Sequence, residues 1–328
     1  MHYKPKHHRN RTSGLGWLII GALLPVLLSG CGTSGASQSS KVRYGNPFYD
    51  HMRQLPENRP RLQDAQAKLV EPAPEVSAEV LERQGDGLLR QGKVAGAYTR
   101  YEQSLVKAPG NLGVQLKMAR LLARTGFHDD ALRLLDGITE RQPDLAAVWE
   151  AMGMVYFFKK DLRLAREFFD KALSKDPNLW RTYAYLGHIH DLLKEHDRAT
   201  QAFETAIRLQ PEEGLLFNGL GVSLAMAGRH DQAVAAFRQA IRFEYAPPRV
   251  FNNLGASLAA LGRYAEAFQA FKKGVGEARA HNNLGCMYLL AGDYEAAIRS
   301  FEKAIAITPL FYGVANDNLK LAQAANGA

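Results

Sequence analysis

Residues 251–271 read FNNLGASLAALGRYAEAFQAF, and the spacing of their small and aromatic residues recurs along most of the chain. Gly255, Ala267 and Phe271 each have an equivalent 34 residues earlier. When the first two positions are traced back at the same step, only small residues occupy them: Gly85, Ala119, Gly153, Gly187 and Gly221 in one series, and Ala97, Ala131, Ala165, Ala199 and Ala233 in the other. Self-similarity at a fixed period of this length predicts a stack of like units, each unable to bury its apolar face alone.

A period of 34 residues identifies the tetratricopeptide repeat, in which each unit is a pair of helices. The eighth and twentieth positions are small so that the two helices can approach closely. The twenty-fourth position is usually aromatic and fills the space beside them, as at Tyr101, Phe169, Phe203, Phe237, Phe271 and Phe301. The sequence therefore predicts an all-α fold, a tetratricopeptide-repeat right-handed superhelical solenoid over residues 78–310. About seven helix-turn-helix repeats fit, beginning near Ala78, Leu112, Ala146, Trp180, Gly214, Pro248 and Ala278.

Two departures from the period are informative. Repeat two has Ala119 where glycine is expected and Leu135 where an aromatic ring is expected. Between repeats six and seven the step falls from 34 to 30 residues. Four residues are about one helical turn, so we expect the second helix of repeat six to be clipped near Gly274 and Gly276. We expect residues 311–328 to form a capping helix and tail, since a solenoid must cover its last apolar face.

The N-terminus carries a targeting pattern. A segment with four basic residues is followed by an apolar run from Leu15, and the run closes on the tetrad Leu28-Ser-Gly-Cys31. That tetrad resembles the lipobox of bacterial lipoproteins. The resemblance implies that residues 1–30 are a signal peptide, cleaved before Cys31, and that Cys31 is lipidated. The alternatives are a plain secretory signal and an uncleaved anchor, although an uncleaved span needs about 20 apolar residues and this run is shorter.

Removal of the signal changes what the composition indicates. Residues 31–77 are rich in Ser, Gly, Pro and Gln, and we predict that they form a flexible tether behind the lipidated Cys31. The formal net charge of +8 falls to +4 without residues 1–30, which contain four basic and no acidic residues. The charge therefore does not favour a nucleic-acid partner. Of the two cysteines, a lipidated Cys31 leaves Cys286 without an intramolecular disulfide partner.

Residues that could carry out chemistry do not form a recognisable catalytic or metal-binding pattern. His188 and His190 are two apart on a predicted helix, so their side chains point to different faces and cannot share a metal. Ser223 and Ser257 each follow a glycine by two residues, but the second glycine of a nucleophile elbow is missing. We therefore expect a protein that is not an enzyme, with no metal, no small-molecule substrate and no cofactor beyond the covalent lipid on Cys31.

The remaining candidate is a surface that binds a protein or peptide. In tetratricopeptide proteins the first helix of each repeat lines the concave groove, and its inward positions can be assigned from the period. These positions and their neighbours supply the predicted partner-binding groove: Asn218, Arg249, Asn252, Asn253, Arg279, Asn282, Asn283, Phe157, Phe158 and His188.

The asparagines suggest how such a groove would bind. An amide side chain can pair with both groups of a peptide unit, and the row resembles the asparagine ladders by which some tetratricopeptide grooves hold an extended polypeptide. Arg249 and Arg279 would then favour acidic side chains or a C-terminal carboxylate, and Phe157 and Phe158 would anchor the ligand. The alternative is that asparagine before Leu and Gly is simply common in this repeat type and meets water.

The combination of a lipobox, a spacer and repeats containing Phe251-Asn-Asn-Leu-Gly255 and His281-Asn-Asn-Leu-Gly285 resembles the TadD-like lipoproteins of tight-adherence (Flp) pilus systems. Pilotins of type IV pili, of the PilF or PilW kind, and NlpI-like adaptors share the plan. The resemblance implies a lipid-anchored protein on the periplasmic face of the outer membrane, because Gly32 stands where an Asp would retain it in the inner membrane. The leading hypothesis is an assembly factor that binds a secretin or another pilus component; the alternative is an NlpI-like adaptor for peptidoglycan hydrolases or proteases.

Overall fold

The computed structural model describes residues 76–308 and 312–327. The predicted signal peptide, the predicted lipidation site Cys31, the predicted tether as far as residue 75, and residues 309–311 and 328 lie outside these ranges. Within the described ranges the chain forms only helices and no β-strand. They are α1 Ala78–Arg90, α2 Val94–Lys107, α3 Leu112–Thr125, α4 His128–Thr139, α5 Ala146–Lys159, α6 Leu162–Lys175, α7 Trp180–Leu192, α8 His196–Leu209, α9 Gly214–Met226, α10 His230–Arg242, α11 Pro248–Ala260, α12 Tyr264–Val275, α13 Glu277–Ala291, α14 Tyr294–Ile307 and α15 Tyr312–Asn326.

The helices follow the predicted repeats. The first six repeats begin at the expected residues, and the seventh begins at Glu277, one residue before the expected Ala278. The tetratricopeptide fold is therefore confirmed. The described residues form two compact units. The N-terminal unit holds α1–α8 and the part of α9 that ends at Gly219, and the C-terminal unit begins at Leu220 and holds the rest of α9 and α10–α15.

In six of the seven repeats, a glycine of the first helix faces an aromatic ring of the second helix. A Cβ atom placed on Gly85 would lie 2.5 Å from the ring of Tyr101, and one placed on Gly153 would lie 2.5 Å from Phe169. The same close approach recurs between Gly187 and Phe203, Gly221 and Phe237, Gly255 and Phe271, and Gly285 and Phe301. Since any larger residue would push the ring away, glycine here sets the distance between the two helices of a repeat.

Repeat two fills the same two positions with a different pair of residues. Ala119 and Leu135, which replace the glycine and the ring, are both completely buried. Leucine is smaller than phenylalanine, so the pair accommodates an extra Cβ on α3 without leaving the space between α3 and α4 empty. The sequence departure is therefore a compensated exchange and not a break in the stack.

The turn inside each repeat contains a residue with left-handed backbone angles, and in five repeats this residue is glycine: Gly92, Gly126, Gly228, Gly262 and Gly292 have φ between 73° and 89°. In two repeats the equivalent residue is not glycine. Lys160 has φ 66° and Lys194 has φ 62°. A Cβ in this region costs about 1–2 kcal/mol, so the geometry of the hairpin prevails over the local preference of these lysines.

The missing residues between repeats six and seven are removed from two places. The helix α12 ends at Val275, so it is clipped near Gly274 and Gly276 as predicted. Most of the loss, however, falls in the connecting segment, because Gly276 alone separates α12 from α13, whereas residues 176–179 separate α6 from α7. Gly276 is both the last cap of one helix and the first cap of the next, with φ 83° and ψ 171°.

The helix α15 packs on α14 and α13. Ala315 and Ala322 are completely buried, and Leu319 packs beside Phe301 and Cys286. Ala315 follows the buried Ala280 of α13 by 35 residues, and the same step from Gly285 leads to Lys320, whose side chain is 68% exposed. Lys320 thus occupies the position at which, in the repeats, a glycine packs against the second helix.

Candidate protein-binding surfaces

The first helices of the N-terminal unit carry a network of charged side chains at repeats one and two. Lys117 Nζ on α3 donates to Glu82 Oε1 and to Asp86 Oδ2 on α1, each at 2.7 Å. Burial by itself would raise the pKa of Asp86, but hydrogen bonds from Lys117 and Tyr101 hold that pKa below its usual value. The positive charge of Arg90 lowers the same pKa, so two cations face the two carboxylates of this network.

A buried carboxylate joins repeats two, three and four. Glu150 on α5 is almost fully buried; it accepts a hydrogen bond from Arg120 Nη2 on α3 at 2.6 Å and one from Thr182 Oγ1 on α7 at 3.3 Å. A buried carboxylate must be paired to be tolerated, so this link depends on all three helices being in place. Sequence reasoning missed Glu150, although a single acidic residue in the apolar helix α5 was the available signal.

The predicted aromatic anchors differ in their accessibility. Phe157 is completely buried, with its ring 5.7 Å from that of Phe158 and 5.2 Å from that of Tyr185. It therefore packs the interior, and its predicted role as a ligand anchor is corrected, because a ring without exposed surface has nothing to offer a partner. Phe158 is only partly buried, and Met154 and Tyr185 lie in the same apolar cluster.

His188 is held as a neutral side chain. Its ring meets the edge of Phe203 at 5.0 Å. Burial lowers its pKa to about 4, and the nearby charge of Asp191 only partly opposes this shift. At neutral pH the ring is uncharged. His190 instead pairs with Glu195, Nδ1 to Oε2 at 2.7 Å, so the two histidines point to different neighbours.

The asparagines are far less accessible than a free ladder requires. Asn253 and Asn282 are completely buried, Asn218 is nearly so, and Asn252 and Asn283 are each 9% exposed. The register explains Asn253: it is 34 residues after Gly219, which faces Phe203 of the preceding repeat. This position points toward the preceding second helix and not into a groove. The prediction that Asn253 and Asn282 line an open surface is therefore corrected.

Asn282 is already engaged by the last helix. Asn318 Nδ2 on α15 donates to Asn282 Oδ1 at 2.9 Å and approaches Cys286 Sγ at 3.6 Å. Within the described residues neither side-chain atom of Asn253 has a hydrogen-bond partner, and the same holds for Ser257 Oγ one turn further on. These are buried polar groups in the C-terminal unit, where each unpaired group costs about 1–3 kcal/mol.

The two predicted arginines of the C-terminal unit behave differently. The guanidinium of Arg249 donates to the hydroxyl of Tyr245 and lies 5.6 Å from the centre of its ring. Arg279 is exposed. Tyr245 thus positions Arg249, a contact between residues four apart that the sequence did not suggest because they flank the start of α11.

Neither a metal site nor a membrane span is found in the part of the chain that the structure describes. No group of three or more His, Cys, Asp or Glu side chains there is placed to hold a metal ion. Over the same ranges, no helix is both long and apolar enough to cross a bilayer.

Comparison with known proteins identifies the repeat. The sequence profile of the family described as "Cilia and flagella-associated protein 70 C-terminal domain" matches residues 52–283, and that of the tetratricopeptide repeat matches residues 278–309. Among curated proteins, the chain is similar to the Heat-shock protein cognate (HSC) co-chaperone sgt12 of Aspergillus fumigatus, at 25% identity over 132 residues. That match covers 38% of this chain and 39% of the co-chaperone, so the chain spans about two fifths of the relative's length.

Two solved structures have a similar fold. A chain of the APC/C hetero-tetramer Cut9-Hcn1 superposes with a TM-score of 0.53 at 22% identity, covering 76% of this chain and 53% of that one. Pseudomonas aeruginosa pilF superposes with a TM-score of 0.51 at 22% identity, covering 65% of this chain and 96% of that one. At these identities the likeness shows the fold alone. The tetratricopeptide fold is typically a non-catalytic scaffold that binds peptides or proteins.

Proposed function

The chain belongs to the family of the Cilia and flagella-associated protein 70 C-terminal domain, a tetratricopeptide-repeat family, and from that premise we propose that it is a membrane-tethered scaffold without catalytic activity. Its partner would be a protein or peptide bound on the faces of the first helices. The observation that carries this proposal is the set of charged and apolar side chains on α3, α5 and α7, among which Arg120 and Phe158 keep part of their surface exposed.

The tether is the second part of the proposal. The lipobox tetrad at residues 28–31 supports a lipid on Cys31 and a location on the periplasmic face of the outer membrane. Several acyl chains hold a protein durably, at about 0.8 kcal/mol for each buried CH₂. A spacer of some 45 residues has a root-mean-square span of about 35–40 Å. The anchor would thus confine the binding surface to a narrow layer beside the membrane.

The specific role that we propose is an assembly factor for a Tad (Flp) or type IV pilus apparatus, acting on a secretin or another pilus component. Tethering supports this role, since a partner that inserts in the same membrane would meet the scaffold at a high effective concentration. The similar Aspergillus protein is described as a co-chaperone, and assistance to a client before assembly fits the same plan.

Affinity purification of the tagged chain from detergent-solubilised membranes tests the role. A secretin, pilin or secretion ATPase in the eluate of the wild-type chain, absent from an eluate of unrelated tagged lipoprotein, is the expected result. Recovery of peptidoglycan hydrolases or proteases in their place would instead establish the NlpI-like adaptor and overturn the pilus role.

A further inference from the structure

Three arginines of the N-terminal unit are arranged around one tyrosine. Arg120 and Arg124 lie on α3, Arg181 lies on α7, and Tyr185 is one turn beyond Arg181. Burial raises the pKa of the Tyr185 hydroxyl; the positive charges of Arg124, Arg120 and Arg181 act against this shift, and Glu150 acts with it. Contacts between the helices place these groups together, because Glu150 accepts hydrogen bonds from Arg120 on α3 and from Thr182, the residue after Arg181, on α7.

The charges of this cluster do not balance. Glu150 is its single carboxylate, and Arg120 is the residue that pairs with it, at 2.6 Å. Arg124 and Arg181 are exposed, and over the described residues neither forms an ion pair. The guanidinium of Arg181 lies over the ring of Trp180, 4.3 Å from its centre, which limits where that charge can go. Three guanidinium groups against one carboxylate leave an excess of two positive charges.

The arginine cluster lies beside apolar side chains. Arg120 Nε is buried and has no hydrogen-bond partner among the described residues. Met154 and Phe158 belong to the same apolar cluster as Tyr185. A ligand placed here would find guanidinium donors beside an apolar floor, a combination that suits a peptide carrying both an acidic group and apolar side chains.

We propose that Arg120, Arg124 and Arg181 form a subsite for a carboxylate of an extended peptide ligand, an inference that rests on the proposed peptide-binding function. Guanidinium groups bind carboxylates through two parallel hydrogen bonds. Since Arg120 is already paired with Glu150, Arg124 and Arg181 supply the available positive charge, and the apolar side chains of the adjoining cluster favour a carboxylate carried by a peptide. The carboxylate can come from an acidic side chain or from the C-terminus of the ligand.

Fluorescence anisotropy on the full chain at low ionic strength tests the subsite. The probe is a labelled decapeptide of alternating Glu and Leu with an amidated C-terminus. Its analogue with Gln for Glu, amidated or with a free C-terminus, distinguishes side-chain carboxylates from the terminal one. The test variant is Arg124→Gln with Arg181→Gln. The control is Arg163→Gln with Arg198→Gln, two exposed arginines on the second helices α6 and α8, which removes the same charge.

We expect the test variant to weaken binding of a carboxylate-bearing probe by about tenfold or more and the control to change it by less than about twofold. Equal weakening by the two variants would show non-specific attraction, and no change in the test variant would equally overturn the subsite. Binding to phosphatidylglycerol vesicles is measured with the same two variants. If the test variant binds the vesicles more weakly but binds the decapeptide as the wild type does, the cluster serves a lipid surface and the proposal is wrong.

The affinity purification separates this inference from the proposed function. If the wild-type chain and the Arg124→Gln, Arg181→Gln variant recover the same pilus components, the subsite fails and the function stands. If the wild-type chain recovers none while the decapeptide still distinguishes the two variants, the pilus role fails and the subsite stands. Circular dichroism and thermal melting of both variants verify that neither has lost the fold.

Discussion

At the scale of single residues, the fold depends on a contact between a hydrogen atom and a ring. The glycine at the eighth position of a repeat has no room for a side chain, as the 2.5 Å approach of a Cβ on Gly153 to the ring of Phe169 shows. The repeat with Ala119 and Leu135 shows the alternative solution. Small and large residues thus trade volume across one helix pair.

We expect Gly153→Ala to lower the free energy of unfolding by about 1–3 kcal/mol, because the new methyl group overpacks the interface between α5 and α6. The double variant with Phe169→Leu should be destabilised by at least about 1 kcal/mol less than the sum of the two single variants, since the pair then reproduces repeat two. Urea denaturation of both single variants and the double variant measures the coupling. Strict additivity would show that the two positions are independent.

A second residue-scale prediction concerns the buried hydroxyl of Ser257. Its oxygen has no hydrogen-bond partner among the described residues, so Ser257→Ala should raise the free energy of unfolding by about 1 kcal/mol. Ser223 is the equivalent residue 34 positions earlier and is also buried, but it makes an interaction of its own. Ser223→Ala is therefore the matched control and should not stabilise the chain. A loss of stability in Ser257→Ala would contradict the interpretation.

At the scale of helices, the junction between α12 and α13 is the one place where the period changes inside the repeats. Gly276 alone connects the two helices, with backbone angles that a residue with a Cβ adopts only under strain. The 30-residue step in the sequence indicated a shortened helix. It could not show that the connecting segment absorbs most of the loss, because that division depends on how α11 and α13 pack.

Gly276→Ala should therefore lower the free energy of unfolding by about 1–3 kcal/mol and speed amide exchange at the end of α12. Gly137→Ala is the control and should not destabilise the chain: it lies in α4, its added methyl group would meet no atom within 4 Å, and alanine favours helix over glycine by about 1 kcal/mol. Urea denaturation measures the stability of each variant, and hydrogen exchange measures the protection of the amides at the end of α12. A neutral Gly276→Ala would mean that the junction adapts without strain.

At the scale of the whole molecule, location and binding are assigned to different parts of the chain. The proposed binding residues lie on the helices, and the proposed anchor lies at Cys31, far along the chain from the first helix at Ala78. If the two are independent, Cys31→Ser should leave helix content and melting temperature unchanged and transfer the protein from the membrane fraction to the soluble fraction. Fractionation with circular dichroism of the released protein measures both. Loss of folding in this variant would show that the separation is wrong.

The sequence predicts where a candidate binding residue lies within its repeat, but not whether its side chain is exposed. Position within a repeat follows from the period, so the sequence alone places Arg249, Asn252 and Arg279 on first helices. Exposure does not follow from position. Asn282 is covered by Asn318 of α15, and Phe157 is enclosed by Phe158 and Tyr185. Most of these contacts join different helices, so a local sequence pattern cannot predict them.

The sequence by itself determined the helices, the repeats and their register, because each repeat depends on residues a fixed number of positions apart and on the sizes of a glycine and a ring. Only the tertiary structure decided which polar and charged groups meet. Glu150 pairs with Arg120 and Thr182 from the neighbouring repeats, while Arg124 and Arg181 form no ion pair within the described residues and lie exposed on α3 and α7. Electrostatic pairing depends on distances of a few ångströms between side chains of different helices, and the period sets the order of those helices but not these distances.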